Sequence, residues 1–126
     1  MLRLAPVPTA PADARQAVAK WLAAQGTSGP PADDALLVVS ELVTNGVIHD
    51  GGDHIALRAE HDGRCLTVTV VTTPRRPGVA AYERPAVGPD ETGRGLGVVA
   101  AVCKDVLTHH QDAGARRTVC RLDLHG

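Results

Sequence analysis

The stretch "SELVTNGVIHD", from Ser40 to Asp50, places three polar side chains within an otherwise apolar segment. Glu41, Asn45 and His49 follow one another at intervals of four residues, so they line one face of a helix. A carboxylate is rarely buried without a partner, because its desolvation is costly. The polar stripe therefore either faces solvent or lines a ligand site.

Two of these side chains suit phosphate chemistry. The carboxylate of Glu41 can accept a proton from an attacking hydroxyl group or from water. The amide oxygen of Asn45 is a hard ligand of the kind that binds Mg²⁺, which completes its coordination with water and phosphate oxygens. A ligand-facing stripe is consistent with a phosphate and Mg²⁺ site, and a solvated helix face is the alternative.

The length of 126 residues predicts a single domain spanning residues 1–126. We predict an edge strand within residues 1–8, helices at 12–26, 32–48 and 93–106, and strands at 54–61, 64–72, 106–111 and 115–124. Asp62-Gly63 joins two of the strands as a hairpin turn. This order predicts a two-layer α/β sandwich, with helices on one face of a mixed, mostly antiparallel sheet.

A long loop and a glycine-rich segment come after the first hairpin. Residues 73–92 follow neither helical nor strand periodicity, and such a loop in a compact domain is typical of a lid, a binding loop or disorder, so we predict a lid at 74–92. Gly93, Gly95 and Gly97 open the next helix, where backbone N–H groups can approach a phosphate. A flexible helix start is the alternative, and the Walker A and Rossmann glycine patterns are both absent.

Composition argues against several other functions. A net charge of -1 and a sequence pI near 6.6 disfavour direct nucleic-acid binding, and Trp21 and Tyr82 are the whole aromatic complement. We expect no membrane span and no signal peptide, because the required apolar runs are missing. Cys65, Cys103 and Cys120 lack CxxC spacing and are interpreted as reduced thiols that fill the core, which favours the cytoplasm.

Taken together, the polar helix, the long loop and the glycine-opened helix resemble the Bergerat ATP-binding fold of the histidine-kinase-like ATPases. The chain is most similar to the small anti-sigma-factor serine kinases, which are numerous in actinobacteria. Their N-box reads approximately E-L-V-T-N-A-x-x-H and aligns with Glu41–His49, and their G2 box reads approximately G-R-G-L and aligns with Gly93–Leu96. The resemblance covers essentially the whole chain.

The resemblance implies ATP and Mg²⁺ as cofactors and assigns roles to the residues that match. Asn45 would ligate Mg²⁺, Glu41 would be the general base towards a partner's serine hydroxyl or a water, and His49 would border the phosphate or ribose. Thr118 matches a position near the adenine. The phosphates would be covered by the lid and by the glycine box, whose residues are Gly93, Arg94, Gly95, Leu96 and Gly97.

The resemblance fails at one residue that matters for base recognition. The family's G1 box supplies an aspartate that accepts a hydrogen bond from the adenine amino group. Matching the apolar alternation puts Thr72 at that position, and an alignment without a gap puts Val71 there, so the carboxylate is absent in both cases. Loss of the acceptor is worth roughly 1–3 kcal/mol, or about 5- to 150-fold in affinity, although the Thr72 hydroxyl could be a weaker acceptor.

Three functions follow as hypotheses. The first is a kinase that phosphorylates a small regulatory partner, such as a sigma factor or an anti-sigma antagonist, and the family also allows a homodimer. The second is a catalytically degenerate module that sequesters such a partner, which the missing aspartate favours and the intact N-box opposes. The third is a nucleotide sensor in which ligand binding orders the lid.

Overall fold

A computed structural model of the protein describes residues 1–74, 99, 101–110 and 114–124. Its helices are α1 (Ala10–Ala24) and α2 (Pro30–Asn45), and its strands are β1 (Leu2–Leu4), β2 (Gly51–His61), β3 (Cys65–Pro74), β4 (Asp105–His110) and β5 (Arg116–Asp123). A π-helical turn, Gly46–Asp50, continues α2. α1 packs on α2, which in turn contacts β3 and β5. The predicted α/β sandwich is confirmed.

The strands form one sheet in the order β1-β2-β3-β5-β4, and each neighbouring pair is antiparallel. β1 lies at one edge, as predicted. Because β3 and β5 run in opposite directions, the end of β3 lies beside the start of β5, with Thr72 opposite Arg116 and Val70 opposite Thr118. The sheet therefore brings Thr72 and Thr118 to the same end of the molecule.

The core is aliphatic and lies between the helices and one face of the sheet. Along β3, Leu66, Val68, Val70 and Thr72 are buried, whereas the residues between them are partly exposed. This alternation follows from the two-residue period of a strand. The helices complete the core with Ala10, Ala14, Val18 and Leu22 from α1 and Ala35, Val38, Val39, Leu42 and Val43 from α2.

Both helices begin two residues before the predicted positions. Pro11 lies in the first turn of α1, and Pro30 and Pro31 lie in the first turn of α2. The pair Pro30-Pro31 looks like a connector in the sequence, but proline is favoured at the first helical positions, where its missing N–H has no helical partner to lose. α1 ends at Ala24, two residues before the predicted end at Gly26, whose φ of 77° does not continue a right-handed helix.

The segment after α2 differs from the prediction. Helical structure continues through the π-helical turn to Asp50 instead of ending at Ile48. β2 then begins at Gly51, opposite Pro74, with a register irregularity between Gly51 and Ile55. Gly51 and Gly52, which lie between the predicted helix and the predicted strand, are therefore part of β2, since pairing with the end of β3 compensates for their weak strand preference.

The third predicted helix is too long at its C-terminal end. Val99, Ala101 and Val102 are helical, but Cys103 and Lys104 are not, and β4 starts at Asp105. The N–H of Lys104 donates a hydrogen bond to the carbonyl oxygen of Arg121 at 2.7 Å. Pairing with β5 therefore replaces the helical hydrogen bonds that the apolar pattern predicted.

Candidate functional site

Three buried polar side chains stand out within residues 1–74, 99, 101–110 and 114–124. Asn45, Thr72 and Thr118 expose 8%, 4% and 9% of their surface, and they make up the set of buried polar residues in these ranges. Burying an amide or a hydroxyl group is unfavourable unless the group makes hydrogen bonds. All three residues belong to the nucleotide-binding residues predicted from the sequence.

The end of α2 places Asn45 beside the end of β3. Asn45 is the last residue of α2, and Gly46 follows it in direct contact with Thr72. Thr118 is opposite Val70 on β5, so it is a diagonal neighbour of Thr72 on the face of the sheet that the helices cover. An amide and two hydroxyl groups, from three elements, therefore lie at one end of the core.

Gly46 is needed for this close approach. A Cβ atom at Gly46 would lie 2.7 Å from Cγ2 of Thr72 and 3.3 Å from Cδ1 of Ile55. Its φ and ψ of -61° and -42° are ordinary helical values, so the backbone itself does not require glycine. Gly46 was not among the predicted site residues. Its one signal in the sequence is that the N-box pattern has alanine at this position, whereas this chain has glycine.

Glu41 lies one turn before Asn45 on the same face of α2. Its side chain is partly exposed, but the Oε2 atom is shielded from solvent. The Oγ1 hydroxyl of Thr44 donates to the carbonyl oxygen of Ser40 at 2.6 Å, so that hydroxyl is engaged within the helix itself. The carboxylate of Glu41 and the amide of Asn45 therefore form the polar stripe along α2.

His49, the third residue of the predicted stripe, lies in the π-helical turn that follows α2. The backbone of His49 is described, but its side chain lies outside the described part of the structure. Its predicted place near the phosphate or ribose stays a prediction.

The two possible matches to the missing aspartate now lie on different faces of the sheet. Thr72 is buried on the helix-covered face, and its neighbour Val71 points to the opposite face, where it is partly exposed and paired with Arg117. Thr72 is therefore the residue that occupies the side of β3 nearest Asn45. Its hydroxyl oxygen can accept a hydrogen bond, but it carries no negative charge.

The glycine box and most of the lid fall outside the described residues. The box consists of Gly93, Arg94, Gly95, Leu96 and Gly97, and the lid covers residues 74–92, of which Pro74 is the last residue of β3. Within the described ranges, no three His, Cys, Asp or Glu side chains are close enough together to hold a metal ion. Among the described residues, the Asn45 amide is the candidate metal ligand of this site.

Comparison with protein families identifies a domain that covers most of the chain. The family model of the histidine kinase-like ATPase domain matches residues 4–122 of this chain. The matched region includes Glu41, Asn45, Thr72 and Thr118, the predicted site residues whose side chains the structure describes. No curated protein matches the sequence. None of the helices in the described ranges has both the length and the hydropathy to span a membrane.

Proposed function

Since the chain belongs to the histidine kinase-like ATPase domain family, whose membership supports an ATP-binding regulatory function, we propose that it binds ATP with Mg²⁺ and phosphorylates a small regulatory protein. The observation that carries this proposal is the position of Asn45, Thr72 and Thr118. The buried polar residues of the described chain meet where α2 and β3 end and β5 begins. A hydrophobic core alone gives no reason for that arrangement.

The residues present fit a Mg²⁺–nucleotide complex. Asn45 offers an amide oxygen, which is a hard ligand, and a nucleotide would supply phosphate oxygens for the remaining positions. Mg²⁺ would neutralise the charge that develops on the phosphates during transfer. Thr72 and Thr118 offer hydroxyl groups that can both donate and accept hydrogen bonds, which suits the mixed donors and acceptors of a base.

Glu41 is our candidate for the general base. It lies one helical turn from Asn45, so a hydroxyl group held near the metal-bound phosphate would be within reach of its carboxylate. The carboxylate would take the proton as the hydroxyl oxygen attacks phosphorus. The acceptor would be a serine hydroxyl on the partner protein, by analogy with the anti-sigma-factor kinases that the N-box resembles.

We further propose the anti-sigma branch of the family, a sigma factor or an anti-sigma antagonist as partner, a possible homodimer, and the cytoplasm as compartment. The N-box residues from Glu41 to His49 support the branch. The net charge of -1 supports a protein partner rather than nucleic acid. The bacterial group that the sequence resembles, the actinobacteria, belongs to the same proposal.

Calorimetry with ATP, ADP and GTP, each with and without Mg²⁺, tests the proposal. We expect ATP binding that depends on Mg²⁺, and we expect Asn45→Ala to abolish that dependence because it removes the amide ligand. Asn45→Asp is the matched control, since it keeps an oxygen ligand of the same length and should still bind Mg²⁺–ATP. Absence of nucleotide binding by the folded wild-type protein up to millimolar ATP would exclude a kinase.

A partner-binding module without turnover is the second candidate function. The observation that favours it is Thr72, which leaves the helix-covered end of β3 without the carboxylate of the family's G1 box. Such a module would keep the surfaces that bind its partner while its phosphoryl transfer is lost.

Glu41→Gln separates the two functions, because glutamine has nearly the same shape but cannot act as a base. A kinase should keep nucleotide and partner binding and lose at least about 100-fold in phosphoryl transfer. A binding module should show no phosphoryl transfer in the wild-type protein, and its partner affinity should be the same in both proteins.

A further inference from the structure

Arg116 lies beside Thr72 on the face of the sheet that the helices cover. The two residues are directly opposite each other in the β3–β5 ladder, so their Cβ atoms are about 4.5–5.5 Å apart and their side chains leave the same face. Thr118 follows two residues later on β5 and is buried on that face too. Arg116 is half-buried, whereas Arg117 lies on the opposite face and is exposed. A cationic side chain therefore lies next to the two buried threonines at this end of the core.

Arginine and threonine differ in hydrogen-bonding capacity from the carboxylate of the G1 box. A carboxylate only accepts hydrogen bonds, whereas a guanidinium group only donates them, through five N–H groups in a planar fork. The hydroxyl groups of Thr72 and Thr118 can do both. The inward-facing polar side chains of β3 and β5 at this end are thus one arginine and two threonines, and their hydrogen-bond donors outnumber their acceptors.

Adenine and guanine present different groups to such a set of donors. Adenine has an amino group, which is a donor, next to the N7 acceptor, whereas guanine has the O6 and N7 acceptors side by side. The fork of an arginine donates to O6 and N7 of guanine at the same time. An adenine amino group in the same place would set a donor against a donor. The side chains at this end of β3 and β5 therefore suit guanine better than adenine.

We propose that Arg116 binds the base of the nucleotide and makes the site prefer GTP to ATP. This inference rests on the proposed function, because it concerns which nucleotide the same site binds more tightly. ATP still binds through its phosphates and Mg²⁺, but without the contact to the guanidinium fork. One bidentate contact between arginine and guanine discriminates between bases by about 5- to 150-fold. We expect the affinity for GTP to exceed the affinity for ATP by that factor.

A contact between Arg116 and the phosphates is the alternative role for this side chain. The phosphates of ATP and GTP are identical, so such a contact would strengthen the binding of both nucleotides equally. Lysine would also replace arginine in that role, since it binds phosphate as a point charge. The position of Arg116 favours the base, because it is opposite Thr72 and two residues from Thr118, whose hydroxyl groups suit a base.

The experiment is calorimetry of the full wild-type chain with Mg²⁺ and with ATP, GTP or inosine triphosphate. Inosine triphosphate has the O6 and N7 atoms of GTP but lacks its amino group, so we expect it to bind as tightly as GTP, and ATP to bind more weakly. A protein that binds ATP as tightly as GTP, or inosine triphosphate as weakly as ATP, would overturn this inference and leave the proposed function in place. Absence of binding by all three nucleotides would overturn both.

Matched variants assign the preference to one side chain. Arg116→Ala and Arg116→Lys should both weaken GTP binding until it equals ATP binding, because neither alanine nor lysine has the fork. Arg117→Ala is the control, since it removes the adjacent arginine from the opposite face and should keep the preference for GTP. Equal weakening of ATP and GTP by Arg116→Ala would show a phosphate contact and overturn the proposal. The wild-type comparison decides the base preference even where a variant fails to fold.

Discussion

Replacing Gly46 with alanine should destabilise the protein, although alanine is the better helix former. The added Cβ would lie 2.7 Å from Cγ2 of Thr72, well inside the separation of about 3.5–4.0 Å at which two carbon atoms attract each other. Thr72 is buried on β3 and is paired directly with Ile55, whose Cδ1 would be 3.3 Å from the new atom. Neither neighbour can turn away into solvent.

The size of the effect follows from two opposing contributions. Alanine in place of glycine in a helix stabilises by about 0.5–1 kcal/mol, whereas overpacking a core costs about 1–3 kcal/mol. We expect a net loss of about 1–2 kcal/mol in the free energy of unfolding for Gly46→Ala. Thr72→Ser removes Cγ2 and keeps the hydroxyl group, so in that background the same substitution should be neutral or stabilising.

The assay is urea unfolding of four proteins: the wild type, Gly46→Ala, Thr72→Ser and the double variant. We expect a coupling free energy of about 1–2 kcal/mol, with the double variant more stable than the two single effects predict when added. Additive effects, or a Gly46→Ala variant more stable than the wild type, would show that the γ-methyl group of Thr72 does not fill the space above Gly46.

Two further predictions concern β3 and the turn before it. Thr72→Asp should tighten ATP binding by about 5- to 150-fold relative to GTP, because it supplies an acceptor for the adenine amino group. Val71→Asp, on the opposite face of the sheet, should leave ATP binding unchanged. Equal effects of the two substitutions in calorimetry would contradict the placement of Thr72. Asp62 accepts hydrogen bonds from the N–H groups of Cys65 and Arg64 at 2.8 and 2.9 Å, which lowers the pKa of its carboxyl group from 3.8. The ionised carboxylate of Asp62 therefore stabilises the folded state above the ordinary pKa of 3.8, and this stabilisation disappears as the pH falls through the lowered pKa. Asp62→Ala should accordingly lose less stability than the wild type between pH 5 and pH 2 in urea unfolding, and parallel curves would refute the role of Asp62.

The sequence was most informative where a repeating pattern or a motif carries the structure. The alternation of Leu66, Val68 and Val70 predicts which face of β3 is buried, and the spacing of Glu41 and Asn45 predicts a polar stripe on α2. Helix ends were less predictable. Proline is common both in connectors and in first helical turns, so the local sequence did not distinguish the two at Pro30.

Contacts between residues distant in sequence could not be predicted from local patterns. Lys104 donates a hydrogen bond to Arg121 where the apolar pattern predicted more helix, and neither local sequence indicates that pairing. The π-helical turn that contains His49 was also missed, since its hydrogen bonding depends on how α2 joins β2. In each case tertiary pairing outweighs the local preference.

The contact between Gly46 and Thr72 connects two departures from the family pattern that look independent in the sequence. The N-box pattern has alanine where this chain has Gly46, and the G1 box has aspartate where it has Thr72. In the structure the γ-methyl group of Thr72 occupies the space that an alanine Cβ at residue 46 would need. Thr72 has a branched side chain where the G1-box pattern has a carboxylate, and Gly46 leaves room for it. The two residues are therefore complementary in shape at the end of β3, and the base preference of the site should be measured with both residues in place.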